Sequence, residues 1–220
     1  MTRAADLTWP EAAARTGSLL VVPLGSTEQH GPHLPLSTDT DIAVYLAEAL
    51  AGRCAQVLVA PALPYGSSGE HAGFPGTLSI GSDALELVLV ELVRSADLTA
   101  RRVLLLNGHG GNVTAVRDAV ALLQSEGRDV RCWSPTWRGD AHAGRTETSI
   151  QLARGANVGA DRPRGSTAPL RELLPALQRD GVRALSPNGV LGDAAGATAE
   201  EGRGLLHAAV DDLVAFVGAW

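Results

Sequence analysis

Only two cysteines, Cys54 and Cys132, occur in 220 residues. They stand too far apart for a zinc knuckle and are too few for a disulfide scaffold, so a reducing, cytoplasmic compartment is expected. No apolar run reaches the roughly 18 residues of a spanning helix, and the opening Met1-Thr2-Arg3-Ala4-Ala5-Asp6 lacks the apolar core of a signal peptide, so no membrane partner is expected. There is no run of basic residues either. With 18 Lys+Arg against 24 Asp+Glu the formal net charge is −6, which argues against a nucleic-acid partner. Aromatic residues are scarce, at 4%, whereas hydrophobic residues reach 45% and charged ones 19%, a balance that excludes global disorder. The 25 glycines suit tight turns and close helix-on-sheet packing. The length, with no internal repeat and no long linker, predicts one domain over residues 1–220.

Four near-continuous apolar stretches, Leu19 to Leu24, Gln56 to Ala60, Arg102 to Leu106 and Asp129 to Trp133, have the character of strands buried on both faces. Between them, Asp41 to Ala51, Ser82 to Ser95 and Val113 to Glu126 carry apolar residues at helical spacing, with Ser82 an apt N-cap. Strand and helix alternate, which predicts a mainly parallel sheet with helices on both faces, a three-layer α/β/α fold. A final amphipathic helix is expected over Glu200 to Val217, as a lid on the sheet. Residues 157–196 are richer in Gly, Pro, Arg and Ser. There a short helix at Leu170 to Leu177, broken by Pro175, reads as part of a surface excursion or oligomer contact.

In open α/β sheets ligands bind beyond the carboxyl ends of the strands. The first strand is followed there by Glu28 and His30, whose side chains point the same way in extended chain. Asp39 and Asp41 follow at a helix start, where one can cap the helix and the other reach a metal. The third strand runs into Asn107-Gly108-His109-Gly110-Gly111-Asn112. That turn lacks the lysine of a phosphate loop and the glycine spacing of a dinucleotide site, and it presents His109 at the sheet edge. After the fourth strand come His142 and, in a first helical turn opening near Gly144, Glu147, a position that also suits an acid on dipole grounds alone. Taken together, Glu28, His30, Asp39, His109 and Glu147 make five N/O ligands, suited to a pair of divalent ions with one bridging carboxylate. With no thiol nearby the ions expected are Zn²⁺, Fe²⁺ or Mn²⁺, and amide-bond hydrolysis is the reaction class.

The same residues carry a resemblance. Glu28-Gln29-His30-Gly31-Pro32-His33-Leu34-Pro35, Thr38-Asp39, Gly69-Glu70-His71 with Phe74-Pro75-Gly76-Thr77, Asn107 to Asn112, and His142-Ala143-Gly144 with Glu147-Thr148-Ser149 occur in the order found in the creatininase (creatinine amidohydrolase) family, across residues 18 to 152. The resemblance implies a three-layer α/β/α fold, two divalent metal ions, hydrolysis of a cyclic or open amide, and a homo-oligomer. The stretches Ser166 to Pro175 and Val182 to Asp193 are similar to a branch of the family whose substrate is a modified ribosomal precursor peptide. Its modified C-terminal Val-Tyr end is released during redox-cofactor maturation. Carried over by position, Glu28 and His109 hold one ion, His30 and Glu147 the other, and Asp39 bridges. Creatininase itself has a Glu ligand two residues after the motif histidine, where this chain has Gly111. Glu147 is therefore counted as a ligand, and creatinine is put in doubt as substrate.

His142, outside the ligand count, is the candidate general acid/base, with support of a ligand as the competing role. Glu70 and His71 are candidate substrate contacts or structural hydrogen-bond partners. Trp137 could line the pocket or belong to the core. Two alternatives to a peptidase remain at this level: an amidohydrolase of a small lactam or amide, and a non-catalytic nucleotide-binding α/β module using the glycine-rich turn.

Overall fold

A computed structural model describes residues 2–137 and 139–220; Met1 and Arg138 lie outside the described residues. In chain order the elements are β1 (Thr2–Arg3), α1 (Trp9–Ala13), β2 (Leu19–Leu24), α2 (Thr38–Arg53), β3 (Val57–Val59), α3 (Ser82–Ser95), β4 (Arg102–Asn107), α4 (Val113–Ser125), β5 (Asp129–Trp133), α5 (Arg145–Ala153), α6 (Leu170–Leu185) and α7 (Ala199–Gly218). Among the described residues the strands form one parallel sheet in the order β1-β3-β2-β4-β5. The four predicted strands are present, and the two-residue edge strand β1 is added to them.

Alternation along the strands divides the core. Leu19, Val21, Val57, Val59, Leu104, Leu106 and Trp133 face one way, onto Leu46, Leu50, Ile150, Leu206 and Leu213 of α2, α5 and α7. Leu20, Val22, Leu24, Leu58, Val103, Leu105 and Val130 face the other, onto Leu85, Leu89, Val116 and Leu123 of α3 and α4. Residues apolar at every position are what a strand covered on both faces requires. From β2 the chain goes to β3 on one side, then returns through α3 to β4 on the other. The reversal of winding therefore falls at the carboxyl ends of β2 and β4, where such sheets bind ligands. Those ends are level, with Leu24 paired to Asn107 and the Gly108 N–H donating to the Leu24 carbonyl at 2.8 Å.

Three local expectations change. The N-cap of α3 is Gly81, at φ 80°, and Ser82 is already helical. Helix α6 is not broken at Pro175; it runs through that residue and kinks at Gly181 (φ 73°, ψ 173°). A positive φ costs glycine little, and it stops a helix more sharply than a proline at the sixth position. Nor is this region only a surface excursion. Leu173, Val182 and Leu191 are buried together against Phe74 and Ala141, so α6 packs over the Gly69–His71 turn. The last helix, α7, covers the sheet as expected; its Asp212 accepts a bond from the Trp133 indole at 2.9 Å.

Candidate metal centre

Beyond β2 the chain is irregular, held by the Glu28 N–H donating to the Leu36 carbonyl at 3.1 Å and the Gln29 N–H donating to Thr77 Oγ1 at 3.1 Å. These bonds turn Glu28 and His30 into one buried space. Asp39, in the first turn of α2, faces them. Helix α2 begins at the N-cap Ser37, so neither aspartate takes the capping position. Asp41 accepts from Ser37 Oγ at 2.9 Å, while Asp39 Oδ1 lies 3.1 Å from His30 Nε2 and Asp39 Oδ2 lies 3.0 Å from His109 Nδ1. Ser26 Oγ donates to Asp39 Oδ2 at 2.8 Å. From the start of α5, Glu147 Oε2 comes to 4.0 Å from His30 Nε2 while accepting from the Ala143 N–H at 2.6 Å.

Asp39 thus belongs to two sets of ligand-type groups. Glu28, Asp39 and His109 form one, His30, Asp39 and Glu147 the other, and in each the ligating atoms lie within 4.8 Å of one another. A third set joins Glu28, His30 and His142. Glu28 tests whether these residues suit a cation. Its carboxylate is fully buried, and among the described residues neither oxygen has an aligned hydrogen-bond donor. A buried carboxylate without donors carries a large desolvation penalty that a coordinated cation removes. His30 fits equally well. Its Nδ1–H donates to the Glu28 carbonyl at 3.1 Å, which leaves Nε2 to face Asp39 and Glu147, the usual arrangement of an oriented metal-ligating imidazole.

The electrostatics call for positive charge in this space. Burial lifts Glu28 and Glu147 up to about 7. Asp39, despite its burial, is held well below the usual carboxylate range by His30 and His109. Burial opposes charge on His30, but Asp39, Glu147 and Glu28 outweigh it and push the ring up to about 10. His109 also rises to about 10, as Glu28 and Asp39 overcome its burial. Burial, with His109 and His30 nearby, lowers His71 to about 3. His142 is pushed well below its usual value by burial, His30 and His71.

The remaining sequence candidates separate. His142 is buried with Nδ1 3.8 Å from Glu28 Oε1, and its ring centre lies 4.4 Å from those of both His30 and His71. His71 is buried too, with Nε2 3.1 Å from Glu28 Oε1. Glu70 is partly exposed, its Oε1 3.7 Å from His109 Nε2. A side chain at Gly111 would place its Cβ 2.6 Å from that Glu70 oxygen and against the Ser67 carbonyl. Glycine at 111 thus makes room for the Glu70 carboxylate beside His109. Trp137 packs against the apolar layer of α2 and α7. Sequence pattern does not single out Ser26, which bonds Asp39, or Gln29, which touches His71 and His142. The available signal for Gln29 is its place between Glu28 and His30.

The family model for creatininase, described as creatinine amidohydrolase, matches residues 5–217. A mycofactocin precursor peptide peptidase from Mycobacterium tuberculosis (strain CDC 1551 / Oshkosh) is 51% identical over 218 residues, covering 93% of this chain and 86% of that protein. The solved structure of creatinine amidohydrolase (creatininase) matches with a TM-score of 0.85 at 26% identity, covering 99% of this chain and 97% of that one. A mutant creatininase of Zn-Zn type matches at 0.81 and 26%, covering 98% and 96%. Agreement of this extent, in sequence and in fold, has one consequence: the chain belongs to the creatininase family.

Proposed function

We propose that this chain is a dinuclear-metal peptidase that hydrolyses one peptide bond of the mycofactocin precursor peptide and releases its modified C-terminal Val-Tyr unit. The observation that carries the reading is the sharing of Asp39 between two ligand sets, with the donorless Glu28 carboxylate beside it. The substrate follows from the 51% identity to the M. tuberculosis peptidase over most of both chains. Glu28 and His109 would hold one ion and His30 and Glu147 the other, with Asp39 shared between the two sets. Zn²⁺ or Fe²⁺ suits this imidazole and carboxylate set, with Mn²⁺ a further candidate.

When bound, such ions acidify water and polarise a carbonyl. The protein's own groups do the rest. His142 Nδ1 takes the proton from the attacking water and returns it to the leaving amine nitrogen, the role of a general base and then acid. Glu70, at the exposed rim, meets the incoming peptide, and the buried His71 ring lies against Glu28 from the opposite side. Burial of Glu28, His30 and Asp39 keeps bulk water out, so charges act there at low dielectric. The same reading makes the enzyme a cytoplasmic homo-oligomer.

The test combines elemental analysis of the purified protein with mass spectrometry of the modified peptide before and after incubation. Near-stoichiometric transition metal and a single cleavage are expected, both lost in Glu28→Ala and His109→Ala. Full metal content and full cleavage in those variants overturn the reading. Turnover of a small lactam with no action on the peptide replaces it with a cyclic amidohydrolase.

A further inference from the structure

We propose that Gln29 is a positioning residue that sets the ring tautomers of His71 and His142, so that a proton of one and a lone pair of the other converge on Glu28. The orientation of its side-chain amide is determined by its neighbours. Oε1 accepts the Gly31 N–H at 2.9 Å, and Nε2 donates to the Gly189 carbonyl at 3.0 Å; turning the amide over would set oxygen against oxygen and N–H against N–H. The second proton on Nε2 is then directed to His71 Nδ1, at 2.8 Å. A neutral imidazole that accepts at one nitrogen carries its proton on the other. His71 therefore presents Nε2–H, 3.1 Å from Glu28 Oε1.

His142 meets the other end of the same residue. Its Nε2 lies 2.9 Å from the Gln29 backbone carbonyl, which can only accept, so Nε2 carries the proton. The 3.1 Å approach of Gln29 Nε2 to that nitrogen is then a packing contact. His142 Nδ1 keeps its lone pair, 3.8 Å from Glu28 Oε1, free for a proton or a cation. One residue thus gives two adjacent rings the same tautomer and opposite faces: the His71 Nε2–H lies beside the Glu28 carboxylate without an aligned bond to it, and the His142 lone pair faces the reacting space.

The arrangement also gives the C-terminal stretch a role. Gly189, at φ +79°, has no room for a side chain, because a Cβ there would collide with the Gln29 amide. Leu191 brackets His142, accepting from the His142 N–H at 3.1 Å and donating to its carbonyl at 2.8 Å. The segment from Gly189 to Leu191 thus holds Gln29 and His142 together from outside the ligand set.

The consequence for metal affinity rests on the metallohydrolase reading, but the tautomers do not. Long-range ¹H–¹⁵N correlation spectra of the chelator-treated full chain report them directly. Bare Nδ1 and protonated Nε2 are expected on both rings, and a proton on His71 Nδ1 overturns the proposal. Gln29→Glu offers His71 only an acceptor, so Nδ1 should gain a proton in that variant. Gln29→Met keeps the volume and removes the donor. In both, Zn²⁺ affinity measured by chelator competition should fall by up to about 10-fold, the lower end of the effect of losing a ligand's own partner, because Gln29 acts through the His71 ring beside Glu28. Unchanged ring signals and affinity in Gln29→Met overturn the proposal. If the unmodified chain shows the expected tautomers yet binds no Zn²⁺, the positioning role stands and the metallohydrolase reading falls.

Discussion

Glu28 is a carboxylate with no exposure and no aligned donor, lifted to about 7 by its burial. Such a group weakens the fold unless a cation sits on it. Glu28→Gln therefore separates stability from metal binding. In chelator-treated protein at pH 8 the substitution should raise stability by about 1–3 kcal/mol, the penalty of a buried group left unpaired. The same variant should lose tight Zn²⁺ binding. Denaturant unfolding with and without Zn²⁺ measures both, and equal destabilisation in the two conditions contradicts the account. At this scale much of the site was legible in the sequence: Glu28, His30, Asp39, His109 and Glu147 are the residues of the two Asp39-sharing sets. Gln29 and Ser26 were not, because their parts depend on the direction of a hydrogen bond across the fold.

Helix α5 shows how an element delivers a candidate ligand. Gly144 is its N-cap and Glu147 lies in its first turn, both as the sequence suggests. Ala143 just before it has φ 53°, a conformation costly for a residue with a Cβ, and its N–H donates to Glu147. Asp140 holds this turn in place. Its carboxylate accepts from the N–H groups of Arg145, Thr146 and Asp193, at 2.5, 3.1 and 3.3 Å. Asp140→Ala should cost about 1–2 kcal/mol, as for other carboxylates capping a helix start. It should also lower Zn²⁺ affinity by loosening Glu147. Thermal unfolding and chelator competition read the two effects, and a loss of stability with undiminished affinity shows that Asp140 serves the fold alone. Sequence could not reveal this brace, since Asp193 stands 53 residues further along the chain.

For the molecule as a whole, protons and metal compete for one space. Above pH 7 His71 and His142, both lowered, are neutral in the folded and the unfolded chain. His30 and His109, raised to about 10, keep protons that the unfolded chain has lost. The folded chain binds more protons in this window, so its stability must fall as pH rises. Melting temperatures of chelator-treated protein should therefore decline from pH 7 to pH 10. Saturating Zn²⁺, which takes the place of those protons, should raise the melting temperature throughout and flatten the decline. A flat profile in chelator-treated protein contradicts the charge assignment. The −6 of the bare sequence thus describes the surface of the protein better than its centre.

The sequence by itself determined the alternation of strand and helix, the burial of the sheet on both faces, and the residue types available to ligate metal. Those properties follow from local patterning: continuous apolar strands, helical spacing and polar residues placed just after each strand. Among the described residues no helix is long and apolar enough to cross a membrane, in line with the absence of such a run. Tertiary structure alone decided that Asp39 is shared rather than capping, that α6 passes Pro175 and turns at Gly181 onto the Gly69–His71 turn, and that Glu70 fills the side of His109 left open by Gly111. Each of these depends on contacts between segments far apart in the chain, brought together where the sheet reverses its winding, and no local pattern encodes which face of a loop meets another.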